Sequence, residues 1–251
     1  MNRPQRMSMI EISLIIPAHN ETQLLPRLLD TVDEARRRFV GGADAVEVIV
    51  ADNASTDGTA KVAAARGCVV VQVAQRLIAA ARNGGAGAAQ GEIICFVDAD
   101  MRIHPETFNR VSAVLSRSNI VAGATGVRLE RWSVGIAFTY AVMIPLVFLT
   151  GMDTGVVFCR RADFDAVGGY DERREFAEDV AFLWALRLLG KARGRRLTRL
   201  TEIKALASMR KFDQHGDWHY FTRILPLSVP ALLWPLARTR FANRYWYGDD
   251  R

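Results

Sequence analysis

The chain has 251 residues, half of them hydrophobic, which suits one domain with a large core, or one domain and a tail. Its formal net charge is +6 and its pI about 9.6, a balance that favours anionic ligands, acidic lipid head groups or nucleic acid without choosing among them. Three scattered cysteines, Cys68, Cys95 and Cys159, show no metal-type spacing and fit buried free thiols in a reducing compartment.

In chain order, residues 1–11 are polar and basic, and no secretory signal is expected. A β-branched apolar run predicts a strand over 12–17. Leu24, Leu25, Leu28, Leu29 and Val32 place one apolar face on a helix over 21–39. The next strand is 46–51, and a short Ala-rich helix over 59–66 is stopped by Gly67. A third strand at 69–73, an Ala- and Gly-rich helix at 78–90 and a fourth strand at 92–97 complete a βαβαβαβ alternation. That rhythm implies a parallel sheet with right-handed crossovers. A further helix is expected to start near Pro105. Beyond 119 the rhythm loosens into one longer strand over 120–129, an uncharged helical stretch, a strand over 155–159, and an amphipathic helix over 176–189 that ends at Gly190.

The fourth strand stops at Asp98-Ala99-Asp100. In open parallel sheets ligands bind at the carboxyl ends of strands. Two acids this close repel unless a positive group sits beside them, and a divalent cation carrying a diphosphate is the most economical such partner. Capping of the following turn is the alternative. The first strand runs into Pro17-Ala18-His19-Asn20-Glu21, where Asn20 can cap the next helix. The second runs into a polar loop over 52–59. Asp57 suits the N-cap of the helix that follows, while Asp52, on the strand edge, is placed to accept hydrogen bonds from a ligand. Arg76 and Arg82 flank the Ala-rich helix region. Gly85 and Gly87 begin a G-x-G, but Gln90 stands in place of the third glycine and a strand follows rather than precedes. Neither a dinucleotide fingerprint nor a P-loop is present. Glu178 and Asp179 read, taken alone, as an acidic first turn favoured by the helix dipole.

Together, the segments 13–21, 48–59, 81–84 and 91–100 resemble the family-2 nucleotide-sugar glycosyltransferases. The likeness extends more loosely to about 190 through 161–164, 167–172 and 177–180. It implies a Rossmann-like GT-A fold of the α/β class over 10–203, with a mostly parallel central sheet flanked by helices. Residues 204–251 form a basic, aromatic C-terminal extension. The resemblance implies that Pro17, Ala18 and Glu21 line a nucleotide pocket and that Asp52 hydrogen-bonds the base. It places Arg76 or Arg82 near the base or the diphosphate, Asp98 near the ribose, and Asp100 on Mg²⁺ or Mn²⁺. Glu178-Asp179 matches the later acidic pair that supplies a general base, with Asp179 the preferred base. His215 is a candidate extra metal ligand, with a structural histidine beside Trp218 as the alternative, and Asp153 a candidate acceptor contact.

The implied activity is inverting transfer of a sugar from a nucleotide-diphosphate donor to an acceptor hydroxyl. A sugar nucleotidyltransferase and a non-catalytic nucleotide-sugar binder are the alternatives. The former should carry a Gly-rich basic loop where Pro17-Ala18-His19-Asn20-Glu21 stands. Processive synthases of the family carry Gln-x-x-Arg-Trp; here 214–218 has Asp217 in the arginine's place, which argues against a polymer synthase.

Residues 132–152 hold no charged residue and are long enough to span a bilayer. A span would put the two halves of the site on opposite sides of the membrane, so a buried or membrane-facing helix pair is expected instead. Pro226, Pro230 and Pro235 break the uncharged run 224–237, which fits an interfacial segment. The tail suits either an anionic membrane carrying a lipid-linked acceptor or a homodimer surface. No nucleic-acid module is recognisable. The expected location is cytoplasmic, at the inner face of the membrane.

Overall fold

The computed structural model describes residues 9–139, 141, 153–174 and 177–218. Its centre is β1 (Ile12–Ala18), buried along its whole length. Uninterrupted burial is what a strand covered on both faces requires, and it explains a run that is apolar except for Ser13. Two parallel neighbours flank it, β2 (Val46–Asp52) and β4 (Ile93–Phe96), and β3 (Val69–Gln72) extends the sheet outside β2. In the β1–β2 register Ala18 lies opposite Asp52, so both chains leave the sheet on one edge. Val97 N–H donates to Ile15 O at 3.1 Å, which delivers Asp98 to the same edge.

The second half adds β6 (Ile120–Ala124), β8 (Val157–Arg160) and β9 (Arg196–Arg199), giving the order β3-β2-β1-β4-β8-β6-β9. The sheet is parallel except where β8 runs against β4 and β6. Helices α1 (Leu25–Arg38), α2 (Thr59–Ala65) and α4 (Thr107–Leu115) pack on one face; α3 (Ile78–Ala88), α6 (Arg161–Val167) and α7 (Glu178–Ala192) pack on the other. Residues 134–139 are helical (α5); the rest of the expected uncharged helix pair, and the tail from 219, lie outside the described residues.

Several boundaries differ from expectation. α1 begins at Leu25, with a proline in its first turn, because residues 21–24 form a separate turn closed by Leu25 N–H on Glu21 O at 2.9 Å. The strand expected over 120–129 is two strands. Gly126 has φ +74°, a left-handed bend that turns β7 (Val127–Leu129) into a second sheet. Gly190 does not end α7. It is buried inside the helix, and a Cβ there would lie 2.7 Å from Val121 Cγ1, so the glycine permits close helix-to-sheet contact.

The second sheet has the order β5-β10-β7. β5 (Met101–Arg102) follows Asp100 directly, and β10 (Ala205–Ala207) pairs antiparallel with it and parallel with β7. Residues past 204 are thereby fastened beside the acid pair, and α8 (Arg210–His215) follows.

α3 owes its close seat on the sheet to small residues. A Cβ on Gly85 would lie 2.5 Å from Ile15 Cγ2, and Ile15 is fully buried. Gly85→Ala is therefore expected to lower stability by roughly 1–3 kcal/mol, as overpacked cores do. A urea midpoint equal to wild type would contradict that packing.

Candidate active site

Arg82 projects from α3 with its side chain only 4% exposed. Its Nη2 donates to Asp98 Oδ1 at 2.9 Å, and its Nη1 to Glu178 Oε1 at 2.8 Å. Nη1 also lies 2.6 Å from Asp179 Oδ1. One guanidinium thus joins the acid at the end of the fourth strand to the acidic pair at the start of α7. The Tyr170 ring lies beneath it, 5.0 Å from Cζ, and stacks in turn on Phe182 at 4.2 Å. Asn83, next to Arg82, holds the tyrosine's turn: it donates to Tyr170 O and accepts from Tyr170 N–H, both at 2.9 Å. α7 is pinned from its far end by buried Asp163, which accepts from Arg195 Nη1 at 2.8 Å and Arg193 Nη1 at 2.9 Å.

Burial pushes the Asp179 carboxyl up to about 7; Arg82 opposes the rise, while Glu178 and Asp98 add to it. A carboxylic acid poised near neutrality is suited to proton transfer. Arg82 Nε and the Tyr170 hydroxyl are buried without a hydrogen-bond partner among the described residues, and Asp179 Oδ1, also buried, has only its ion pair with Arg82. Such a concentration of unsatisfied groups is expected where a ligand binds.

A second cluster faces the first. Glu21, 6% exposed, receives Arg210 through two hydrogen bonds, Nη1 to Oε2 at 2.7 Å and Nη2 to Oε1 at 2.8 Å. Arg210 Nη2 also reaches Asp100 Oδ2 at 3.4 Å. Across the two clusters, two guanidinium groups meet five carboxylates, Asp98, Glu178, Asp179, Glu21 and Asp100. The excess is negative, so an anionic diphosphate needs additional positive charge to enter. Among the described residues no group of three or more His, Cys, Asp or Glu is arranged to hold a metal ion. A cation carried by a diphosphate requires only one or two carboxylates from the protein. Asp98 and Asp100 are hard oxygen donors of the right kind. The Asp98 side chain is 39% exposed, hence reachable.

The other side of the edge is built from two loops zipped together. Asn20 does not cap α1; its Oδ1 accepts Thr56 N–H at 2.8 Å, and its own N–H donates to Ser55 Oγ at 3.0 Å. Asp52, buried, accepts Ser55 N–H at 3.2 Å through Oδ1. Asp57 accepts Thr22 N–H at 3.1 Å and Thr59 N–H at 2.9 Å. Burial would raise its carboxyl, but these bonds and those from the two hydroxyls hold it down at about 2. His19 accepts from Arg76 Nη2 through Nε2 at 2.9 Å, so its Nδ1 carries the proton and donates to Asn53 O at 2.8 Å. Pro17 and Ala18 are the buried last residues of β1.

The two candidate arginines are therefore separated in space: Arg82 sits among the acids, Arg76 beside His19 and the second-strand loop. Asp153 is turned to Arg199, whose Nε and Nη2 donate to Oδ2 at 2.8 and 2.6 Å. His215 closes α8, and its side chain lies outside the described residues. Sequence reasoning missed Arg210, His19 and Tyr170 as parts of the site. Arg210 carries no local signal, because its partners lie in the first and fourth strand–loop junctions.

Among the described residues three non-glycine residues have positive φ: Asn20 at 54°, Ala54 at 57° and Ala177 at 56°. Ala177 directly precedes Glu178, and the other two lie in the loops after β1 and β2. A left-handed backbone costs an L-residue about 1–2 kcal/mol. Its recurrence around one sheet edge marks a site where geometry outweighs stability.

Residues 13–133 match the family model described as glycosyl transferase family 2. The match covers just under half of the chain, and over those residues the chain is similar to this family. It is 26% identical over 224 residues to the undecaprenyl-phosphate 4-deoxy-4-formamido-L-arabinose transferase of Serratia proteamaculans, covering 84% of this chain and 63% of that one. It is 28% identical over 115 residues to the glycosyltransferase AglE of Haloferax volcanii, covering 43% of this chain and 36% of that one. The chain thus spans less than two thirds of either relative. Among solved structures, the mannosyltransferase PcManGT of Pyrobaculum calidifontis, in complex with GDP-Man and Mn²⁺, superposes with a TM-score of 0.66 at 21% identity, over 82% of this chain and 59% of that one. The glucosyl-3-phosphoglycerate synthase of Mycobacterium tuberculosis, in complex with Mn²⁺ and UDP, gives 0.58 at 18% identity, over 90% and 85%. These likenesses establish the GT-A fold.

Proposed function

We propose that this chain transfers a sugar from a nucleoside-diphosphate donor to an acceptor hydroxyl, with inversion at the anomeric carbon. The observation that carries the reading is the Arg82 bridge, which joins Asp98 at the donor edge to a carboxyl, Asp179, poised near neutrality. The nucleotide lies along Pro17, Ala18, Asp52 and Arg76, and its diphosphate reaches Asp98 and Asp100. Mg²⁺ or Mn²⁺ at Asp100 supplies charge neutralisation for the departing diphosphate. Asp179 takes the proton of the acceptor hydroxyl as its oxygen attacks the anomeric carbon. The bond from that carbon to the phosphate oxygen breaks, and its electron pair leaves with the nucleoside diphosphate. Attack from the face opposite the leaving group inverts the centre. Arg82 and the Tyr170 platform hold Asp179 in position.

Structural neighbours carry GDP-Man or UDP with Mn²⁺, which supports a nucleotide-sugar donor and a divalent cation. The Serratia relative acts, by its name, with undecaprenyl phosphate. That supports a lipid-linked acceptor and peripheral contact with a membrane. No helix among the described residues is long and apolar enough to cross one.

Donor turnover is expected to vanish in EDTA and return with Mn²⁺. Asp100→Asn is expected to lower it on the order of 10²-fold or more, the scale of a lost metal contact. Full turnover by Asp100→Asn in EDTA would reject the assignment. A thermal-shift panel of UDP-, GDP- and dTDP-sugars identifies the base, since a ligand of the native state raises its apparent stability.

A further inference from the structure

Arg210 is held unequally. Its two-pronged pair with Glu21, at 2.7 and 2.8 Å, involves a carboxylate only 6% exposed. Glu21 cannot rely on solvent for its charge, so this pair is the anchor. The contact with Asp100 is single, longer at 3.4 Å, and lies between side chains that are each 23% exposed. It is the weaker arm. The two charges flank paired strands: β10, which ends three residues before Arg210, pairs with β5, which follows Asp100, in the register Ala207↔Met101. Arg210 therefore stays near Asp100 whether or not the weaker arm is made.

Resting on the reading of Asp100 as the cation's ligand, we propose that Arg210 is an internal counter-ion that holds the place of the divalent cation at Asp100 until donor arrives, then turns to the donor's diphosphate. A divalent ion at Asp100 repels a guanidinium a few ångströms away. The diphosphate that accompanies the ion offers acceptor oxygens, which suit the planar fork of arginine. Glu21 keeps its grip throughout and sets the pivot. Two consequences of opposite sign follow. Arg210 weakens binding of the cation alone, because the ion must displace it. Arg210 strengthens binding of the nucleoside diphosphate, because it supplies a donor group to the phosphates.

The test is calorimetric titration of the full chain with Mn²⁺ alone, with UDP and GDP alone in EDTA, and with the combinations. Arg210→Gln is expected to bind Mn²⁺ about tenfold more tightly and the preferred nucleoside diphosphate about tenfold more weakly, the scale of one charge-assisted contact. Arg210→Lys keeps the charge but loses the two-pronged geometry; it is expected to move both affinities in the same two directions by about threefold. It serves as the test if the glutamine variant fails to fold. A structural role would weaken both ligands together, and that result, or no change in either, overturns the proposal. Wild-type protein that binds nucleoside diphosphate and Mn²⁺ while Arg210→Gln matches it overturns this inference alone. Wild-type protein that binds neither overturns the proposed function and this inference with it.

Discussion

Asp179→Asn is expected to lower kcat/KM by about 10²–10⁴-fold with a hydroxyl acceptor, the usual contribution of a positioned base. Nucleoside-diphosphate affinity should stay close to wild type. The amide keeps the shape of the side chain, and Arg82 retains Glu178 and Asp98 as partners. The pH dependence carries the same signature. The working form is the carboxylate, and its pKa is pushed up to about 7 by burial against the pull of Arg82. In wild type, kcat/KM should rise about tenfold per pH unit on the acid side and level off above about 7. Stability runs the other way. An unfolded aspartate titrates near about 3.9, so the raised native carboxyl costs nothing below about pH 4, costs progressively more between about pH 4 and about pH 7 as the unfolded chain ionises and the native state does not, and levels off above that. Asp179→Asn escapes that cost, and its stability relative to wild type should improve from about pH 4 to about pH 8. An asparagine variant with full turnover would reject the base. It would point to an acceptor that arrives already ionised, such as a lipid phosphate, from which no proton need be removed.

The parts of this architecture visible in the sequence are those whose cause is local. β1 and β4 are buried from end to end, and a strand with two covered faces has to be written almost wholly in apolar residues, as here with Ser13 the one polar member. Asp98 and Asp100 stand out because acids at the end of such a run have no packing reason to be there. The parts that escaped are tertiary. Gly126 falls inside what reads as one strand and Gly190 reads as a helix stop, yet Gly126 redirects the chain between two sheets while Gly190 lets its helix pack closely against Val121. Only the packing partner distinguishes them. Asn20 has the composition of a helix cap and instead braces the loop after β2. Arg82 was visible as a candidate but not as the link between the two acid groups, because those groups stand just after β4 and at the start of α7, 16 and 96 positions along the chain from it. Arg210 was invisible for a stronger reason: its partner Glu21 is 189 positions away, and no periodicity or motif encodes such a pair.

Arg82→Met is expected to be the most destabilising of these single changes, by about 3–5 kcal/mol near neutral pH, the cost of breaking a buried ion pair from one side. The methionine fills much of the volume but leaves Asp98, Glu178 and Asp179 without their shared counter-charge, and it removes the cation from the Tyr170 ring. Carboxylates in that position respond by taking up protons. The penalty should therefore be largest above about pH 7 and shrink toward about pH 5, where protonation relieves the repulsion. Kinetics should move in step. Arg82 opposes the upward shift of Asp179, so its loss carries that carboxyl further up, and the acid limb of kcat/KM should move to higher pH. Arg82→Lys restores a point charge that cannot reach Asp98 and the α7 pair at once, so it should fall between wild type and methionine in both respects. Urea denaturation at about pH 5 and about pH 8, with the pH–rate profile of the lysine variant, measures both effects. If the loss of stability were the same at both pH values and the limb stayed in place, Arg82 would be a packing residue, and the electrostatic link between the donor edge and the base would be lost with it.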